Sequence, residues 1–400
     1  MRNLASGCFL GVALLAVGCS PPRLQRAPAN RIMSIGIVDG NPGTPIVGGQ
    51  PANGGPPQTA SKVTLQFTGG TPGPFTVVAA RVSTPPTIDG DASDPCWAQA
   101  TASNVLLVPA GEAIGMTRDA FEAEYQTAQG YAQLWDYGMR EVSVRAAYDD
   151  ERLYFLLQWA DPTRSEARAD WIAQGGAFAR TTRDEDRVYL AFDLDGSSPS
   201  YLTSGCAMAC HVNERLGASA PADLAYRFQM HTGGAGERID TWVWRAGRTD
   251  PLHIAEDGYL DQVGSRFDCD DPPACTAACT AGEGPPCSVA PYADNSDGAA
   301  QPAPLFMAAQ GVDADPDLLF LADTDPSGIF EALHLPAAVS FSPSTAPLDG
   351  SRLPGAVLRV PSAHRMEVTA KGSWANGIWT LELSRSLNTS DPNDAQFPLQ

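Results

Sequence analysis

Lysine is almost missing from this chain. Of its 26 basic residues only Lys62 and Lys371 are lysines, and the rest are arginines. Histidine is scarce too, at five in 400 residues, and acidic residues outnumber basic ones 46 to 26, for a net charge of −20. That sign repels phosphates and argues against a nucleic-acid partner. It would steer in a basic protein instead, such as a positively charged electron carrier. After the N-terminus no apolar run is long enough to cross a bilayer, and no internal repeat is visible. Long amphipathic helical patterns are few, with "TRDAFEAEYQTAQGYAQLW" (117–135) the best of them. Neither a Ser-His-Asp set nor a paired-carboxylate arrangement stands out, so a hydrolase is not indicated.

The chain opens "MRNLASGCFLGVALLAVGCSPPR". Arg2 and the short apolar stretch Phe9 to Val17 read as a signal peptide over residues 1–18. Ala16-Val17-Gly18-Cys19 then resembles a lipoprotein cleavage box, with Cys19 as the acylated residue; an ordinary secretory signal cut nearby is the alternative. Either sends the mature chain out of the cytoplasm, and Ser20 favours an outer-membrane lipoprotein facing the periplasm. An oxidising compartment permits both disulfides and covalent haem. Of nine cysteines, Cys8 leaves with the signal, Cys19 is the lipid site, and Cys206 and Cys210 form a pair of their own. The remaining five, Cys96, Cys269, Cys275, Cys279 and Cys287, are an odd number, so at least one stays free or pairs outside the chain.

Residues 19–78, rich in Pro, Gly, Ala and Thr, read as a flexible tether, with a strand possible at Val63 to Phe67. From 79 onward the pattern alternates. "VSVRAAY" (142–148) and "RLYFLLQWAD" (152–161) flank a "DDE" turn, and "RVYLAFDLDG" (187–196), "WVWRAG" (242–247) and "GIWTLELSRSL" (377–387) are further strands. Short aromatic-rich strands joined by turns indicate an all-β protein, a β-sandwich with short helices, over 79–400. Residues 265–310, carrying four cysteines among Pro, Gly and Asp, read as an inserted surface loop whose cysteines make two local disulfides.

One stretch carries chemistry: "YLTSGCAMACHVNERLG" (201–217), in which Cys206, Cys210 and His211 form C-x-x-x-C-H. Covalent haem needs two thiols for the vinyl groups and an adjacent imidazole for the iron, and C-x-x-C-H is the common spacing. A Cys206–Cys210 disulfide with an incidental histidine is the bland alternative, although chance puts a histidine at a given position only about once in eighty. Zinc is weaker, because no second nearby pair completes a tetrahedral set. The other C-x-x-x-C, at Cys275 and Cys279, is followed by Thr280 and cannot be such a haem site.

Six segments occur in order around this stretch: "TIDGDASDPCWAQA" (87–100), "VSVRAAYDDERLYFLLQWADPT" (142–163), "DEDRVYLAFDLDG" (184–196), "GCAMACH" (205–211), "GERIDTWVWRAGRTDPL" (236–252) with "EDGYLDQ" (256–262), and "AKGSWANGIWTLELSRSLNT" (370–389). Together, over about 80–390, they resemble the ethylbenzene-dehydrogenase-type haem-binding domain, the family of the γ subunits of ethylbenzene and dimethyl sulfide dehydrogenases and related cytochromes c. The resemblance implies a β-sandwich related to family-9 carbohydrate-binding modules, holding one haem and passing single electrons. The γ subunits hold haem b through a methionine and a lysine, while other members attach it through a Cys-Cys-His motif. The 265–310 segment is longer than the family's, and the family continues past "DAQFPLQ", which implies a cropped C-terminal edge.

On this reading Cys206 and Cys210 carry haem c and His211 is the fifth iron ligand. The resemblance offers Met230, in "YRFQMHTGG", as the sixth, with Lys371, in "TAKGSW", next and His231 last. Lys371 has a separate argument: an amine can deprotonate and coordinate where a guanidinium cannot. Its alternative is a plain strand surface. Trp242, Trp244, Trp374 and Trp379 read as core rather than an electron path or a sugar platform. Asp193 and Asp195 of "FDLDG" read as an Asp-Gly turn rather than a calcium site. The expected protein is an exported monohaem cytochrome c, not an enzyme, serving other cytochromes or an exported oxidoreductase, of the molybdenum class by analogy with the family. Its rivals are a carbohydrate-type binding module with a structural Cys206–Cys210 disulfide and a haem-based gas sensor.

Overall fold

The computed structural model describes residues 31–38, 59–67, 76–109, 140–181, 183–205, 232–262, 264–268, 288–299, 303–308, 333–334, 338–341 and 349–398. The first strands are β1 (Arg31–Val38), β2 (Thr59–Gln66), β3 (Thr76–Arg81), β4 (Ser103–Pro109), β5 (Arg140–Tyr148) and β6 (Arg152–Ala160). Next come β7 (Trp171–Gln174), β8 (Ala177–Arg180), β9 (Arg187–Asp193), β10 (Ile239–Arg245), β11 (Ile254–Leu260) and β12 (Ser265–Phe267). Short strands β13 (Tyr292–Asp294), β14 (Phe306–Ala308), β15 (Leu333–His334), β16 (Ala338–Ser340), β17 (Arg352–Leu353) and β18 (Ala356–Leu358) lead to β19 (Val368–Ala375) and β20 (Ile378–Ser386). One six-residue helix, α1 (Pro199–Ser204), stands among them.

The all-β class is as the alternation predicts, and the sheet closes on itself. The path β1-β9-β10-β11-β19-β20-β6-β5-β3-β2 returns to its start because β2 pairs with β1 from Arg31↔Leu65 to Ile37↔Thr59. β4 joins β2 and β5, and β12 extends from β11. A closed ring leaves none of these ten strands with an unpaired edge.

Two expectations change here. The stretch 19–78 read as a flexible tether supplies β1 and β2, the strands that close the ring, so folded strands lie ahead of residue 79. "RIMSIGIV" and "TASKVTLQ" are good strand sequences in a Gly/Pro-rich neighbourhood; the strand allowed at Val63 to Phe67 falls on β2, and regional composition hid β1. The sandwich appears as two opposed walls of one ring. Phe155 of β6 lies 5.9 Å from Trp242 of β10, edge on, and Trp244 of β10 lies 5.2 Å from Trp379 of β20.

Strand period decides which side chains fill the ring. Met33 and Ile35, Leu190 and Phe192, Trp242 and Trp244, Phe155 and Leu157, and Leu381 and Leu383 all point inward and are buried. The hairpins form where their turn chemistry allows. Asn376-Gly377, both at positive φ, join β19 to β20 in a two-residue turn of the kind that matches strand twist. The Asp149 carboxylate accepts the amides of Glu151 and Arg152 at 2.8 Å to turn β5 into β6. On the outer face of the ring, "DPCWA" seats Cys96 and Trp97 over Tyr154 and Leu156. Cys96 is buried and free, the only free cysteine among the described residues. The 117–135 helix and Cys269, Cys275, Cys279 and Cys287 lie outside the described residues.

Candidate functional site

The approach to the Cys-Cys-His stretch is built on the outer face of β1, β2 and β9. After β9 the chain turns at Asp195 and Gly196, both at positive φ, and enters α1 with proline in its first turn. Arg31 puts its guanidinium 2.7 Å from Asp195, and Asp193 accepts the amide of Ile32, so "FDLDG" is a turn closed by arginine. Tyr201, fully buried, donates its hydroxyl to the carbonyl of Ala191 at 2.7 Å, pinning the helix to β9. Lys62 of β2 donates to the carbonyl of Leu202 from the other side.

Gly205 ends the helix at φ +64°, and a Cβ there would sit 2.5 Å from Ser34 Oγ and 3.0 Å from Lys62 Cβ. Only glycine satisfies both the backbone and the space. Cys206 is the next residue. The chain is described again at Thr232, whose amide donates to Asp261 at 2.8 Å beyond the end of β11. Cys206, Cys210, His211, Met230 and His231 all fall between these anchors, outside the described residues; Cys19, near the N-terminus, lies outside them too.

Lys371 lies elsewhere. Val368 and Ala370 of β19 face the core, so Lys371 faces out. Its ammonium is 2.6 Å from Asp250 Oδ2. Asp250 also accepts Trp244 Nε1 at 2.9 Å and the amide of Gly372 at 2.5 Å, which makes it the hub of this corner. Gly372 is required there, because a Cβ would come within 2.4 Å of the Trp244 ring. Burial pushes the nearby Glu166 carboxyl up to about 7, with Arg164, 2.9 Å away, opposing. Around the ring β19 and β2 are five strands apart in either direction. Lys371 and the Lys62–Gly205 seat therefore occupy opposite outer faces, and the fold does not bring them together.

The tryptophans behave as core. Trp242, Trp244 and Trp379 are essentially fully buried, and Trp374 packs against them while donating to the Asp161 carbonyl at 3.0 Å. Trp159 stacks on Trp379 at 6.1 Å. These rings form no exposed platform for a sugar.

Sequence reading missed Arg385. It follows Trp379, Leu381 and Leu383 on the inward face of β20 and is fully buried. Its guanidinium holds Asp257 at 3.1 and 3.2 Å, Asp240 at 2.8 Å and the Ala395 carbonyl at 2.8 Å, and it lies 4.7 Å over Trp242. A charge at the position where strand period calls for a hydrophobe was the available signal.

Comparison with known proteins matches residues 94–400 to the family model described as ethylbenzene dehydrogenase. No curated protein sequence matches.

Proposed function

From the premise that this chain belongs to the ethylbenzene dehydrogenase family, a redox-related one, we propose that it is an exported monohaem c-type electron-transfer protein. The observation that carries the reading is C-x-x-x-C-H inside the matched span, one residue beyond a glycine seated against the barrel. The donor set suits the group: two thiols four apart form thioethers, and an adjacent imidazole supplies an iron ligand. When bound, the haem iron carries one electron at a time.

The chain's own residues do the rest. Cys206 and Cys210 would tether the group, His211 would ligate the iron, and Met230 would be the sixth ligand, its soft thioether raising the potential. Met230 is preferred because it follows the motif at the place where the family resemblance puts a methionine ligand, and His231 is its neighbour in sequence. Lys371 is the alternative sixth ligand, and to ligate it would have to give up its ion pair with Asp250. Lys62, Tyr201 and Gly205 hold the root of the excursion against the sheet. The surplus of acidic residues steers a basic redox partner. Cys19 would anchor the protein in the outer membrane, and its partners would be another cytochrome or an exported oxidoreductase complex.

Maturation in a host with cytochrome c assembly machinery tests the reading. The expected product keeps haem on a denaturing gel, shows a Soret band and has a mass raised by one haem. A colourless protein whose mass is short by two hydrogens at Cys206 and Cys210 would leave the binding-module alternative in its place.

A further inference from the structure

At the end of the barrel where β12 finishes, three aspartates meet. Asp268 follows β12, and Asp391 and Asp394 lie in the turn after β20; all are at most 4% exposed. Each offers a carboxylate oxygen, and these oxygens lie within 4.8 Å of one another. Both oxygens of Asp268 are buried with no hydrogen-bond partner, as are Asp391 Oδ2 and Asp394 Oδ1. An unpaired buried carboxylate costs several kcal/mol, so a group left this way either takes up a proton or meets a cation.

Among the described residues the positive charges do not meet the need. Arg385 comes within 3.5 Å of Asp394 Oδ1, but its strong bonds go to Asp240 and Asp257. His364 Nδ1 is 3.4 Å from Asp391 Oδ2 and faces Glu367 at 3.5 Å. One guanidinium and one imidazole thus stand against Asp240, Asp257, Asp268, Asp391 and Asp394, with Glu367 at the side. The turn that presents two of the three is fixed independently of any ion. Asp391 Oδ1 accepts the amide of Asn393 at 2.7 Å, and the amide of Ala395 donates to Asp240 at 2.8 Å.

We propose that Asp268, Asp391 and Asp394 form a calcium site that clips the end of β12 to the turn after β20. The donors are all carboxylate oxygen, which suits a hard cation and not zinc or copper. Magnesium sheds its water reluctantly, and three aspartates this deeply buried leave little space for a retained water shell.

The test uses the full mature chain, stripped with EDTA and titrated with calcium chloride, with magnesium chloride in parallel. Calorimetry is expected to show one calcium bound per chain. The unfolding midpoint should rise by roughly 4 °C at a hundredfold excess over Kd, and far less with magnesium. Asp268→Asn should abolish the calcium response yet melt higher than the parent in EDTA, because it removes one repelling charge. That second result shows the variant is folded. Asp195→Asn, in the turn closed by Arg31, should respond like the parent. A parent midpoint indifferent to millimolar calcium, or a full response retained by Asp268→Asn, overturns the proposal.

Discussion

Lys62 donates its ammonium to the main-chain carbonyl of Leu202, four residues before Cys206. One of the chain's two lysines therefore holds the root of the Cys-Cys-His segment, and the other, Lys371, is committed to Asp250. In both places one compact donor serves a confined acceptor, a geometry that suits an ammonium better than a forked guanidinium. Lys62→Met should lower stability in urea by about 1–2 kcal/mol, the worth of a hydrogen bond to a charged group. Gly205→Ala should cost as much or more, through positive φ and contact with Ser34. Parent-like midpoints for both would show that this seat does not hold the helix.

Glu166 makes stability depend on pH. Its folded-state carboxyl titrates near 7, above the ordinary 4.5, so the folded chain holds that proton more firmly than the unfolded one. Its contribution is complete below about 4.5 and is lost as the pH climbs through 7. Glu166→Gln should match the parent at pH 4 and exceed it at pH 8, by on the order of 1–3 kcal/mol. Urea midpoints at the two pH values check this, and a gap that shrinks with rising pH contradicts it.

Arg385→Met should destabilise by about 3–5 kcal/mol, because Asp240 and Asp257 would be left buried without their counter-charge. Adding Asp257→Asn to that variant should recover part of the loss. The double-mutant cycle, read from urea unfolding, separates the ionic contribution from simple loss of packing.

In haem-loaded protein, Lys371→Met should leave the visible spectrum as it is and cost about 1 kcal/mol of stability. Asp250 keeps Trp244 and Gly372 as donors in that variant. Met230→Ala should change the spectrum and open the iron to carbon monoxide. A spectrum altered by Lys371→Met and untouched by Met230→Ala would reverse the choice of sixth ligand.

Much of the ring was legible in the sequence. Continuous runs of aliphatic and aromatic residues in "RLYFLLQWA" and "RVYLAFD" mark β6 and β9, and "ANGI" marks the β19–β20 turn. The inward tryptophans could be recognised as core, because large aromatics on alternating strands have few other ways to leave water. β1 was obscured, and β2 seen only at its end, because composition was judged over sixty residues while each strand needs only eight.

The sequence by itself determined the all-β class, half the strands of the ring, the family and the thiol-thiol-imidazole set, since each is written in local order and spacing. Only the tertiary structure decided that β1 meets β2 to close the ring, that Arg385 joins aspartates 128 and 145 residues away, and that Asp268 lies beside Asp391 and Asp394. Strand period says which face a side chain takes but not which wall it will face. Charges so far apart in the chain find one another only after the apolar faces have packed.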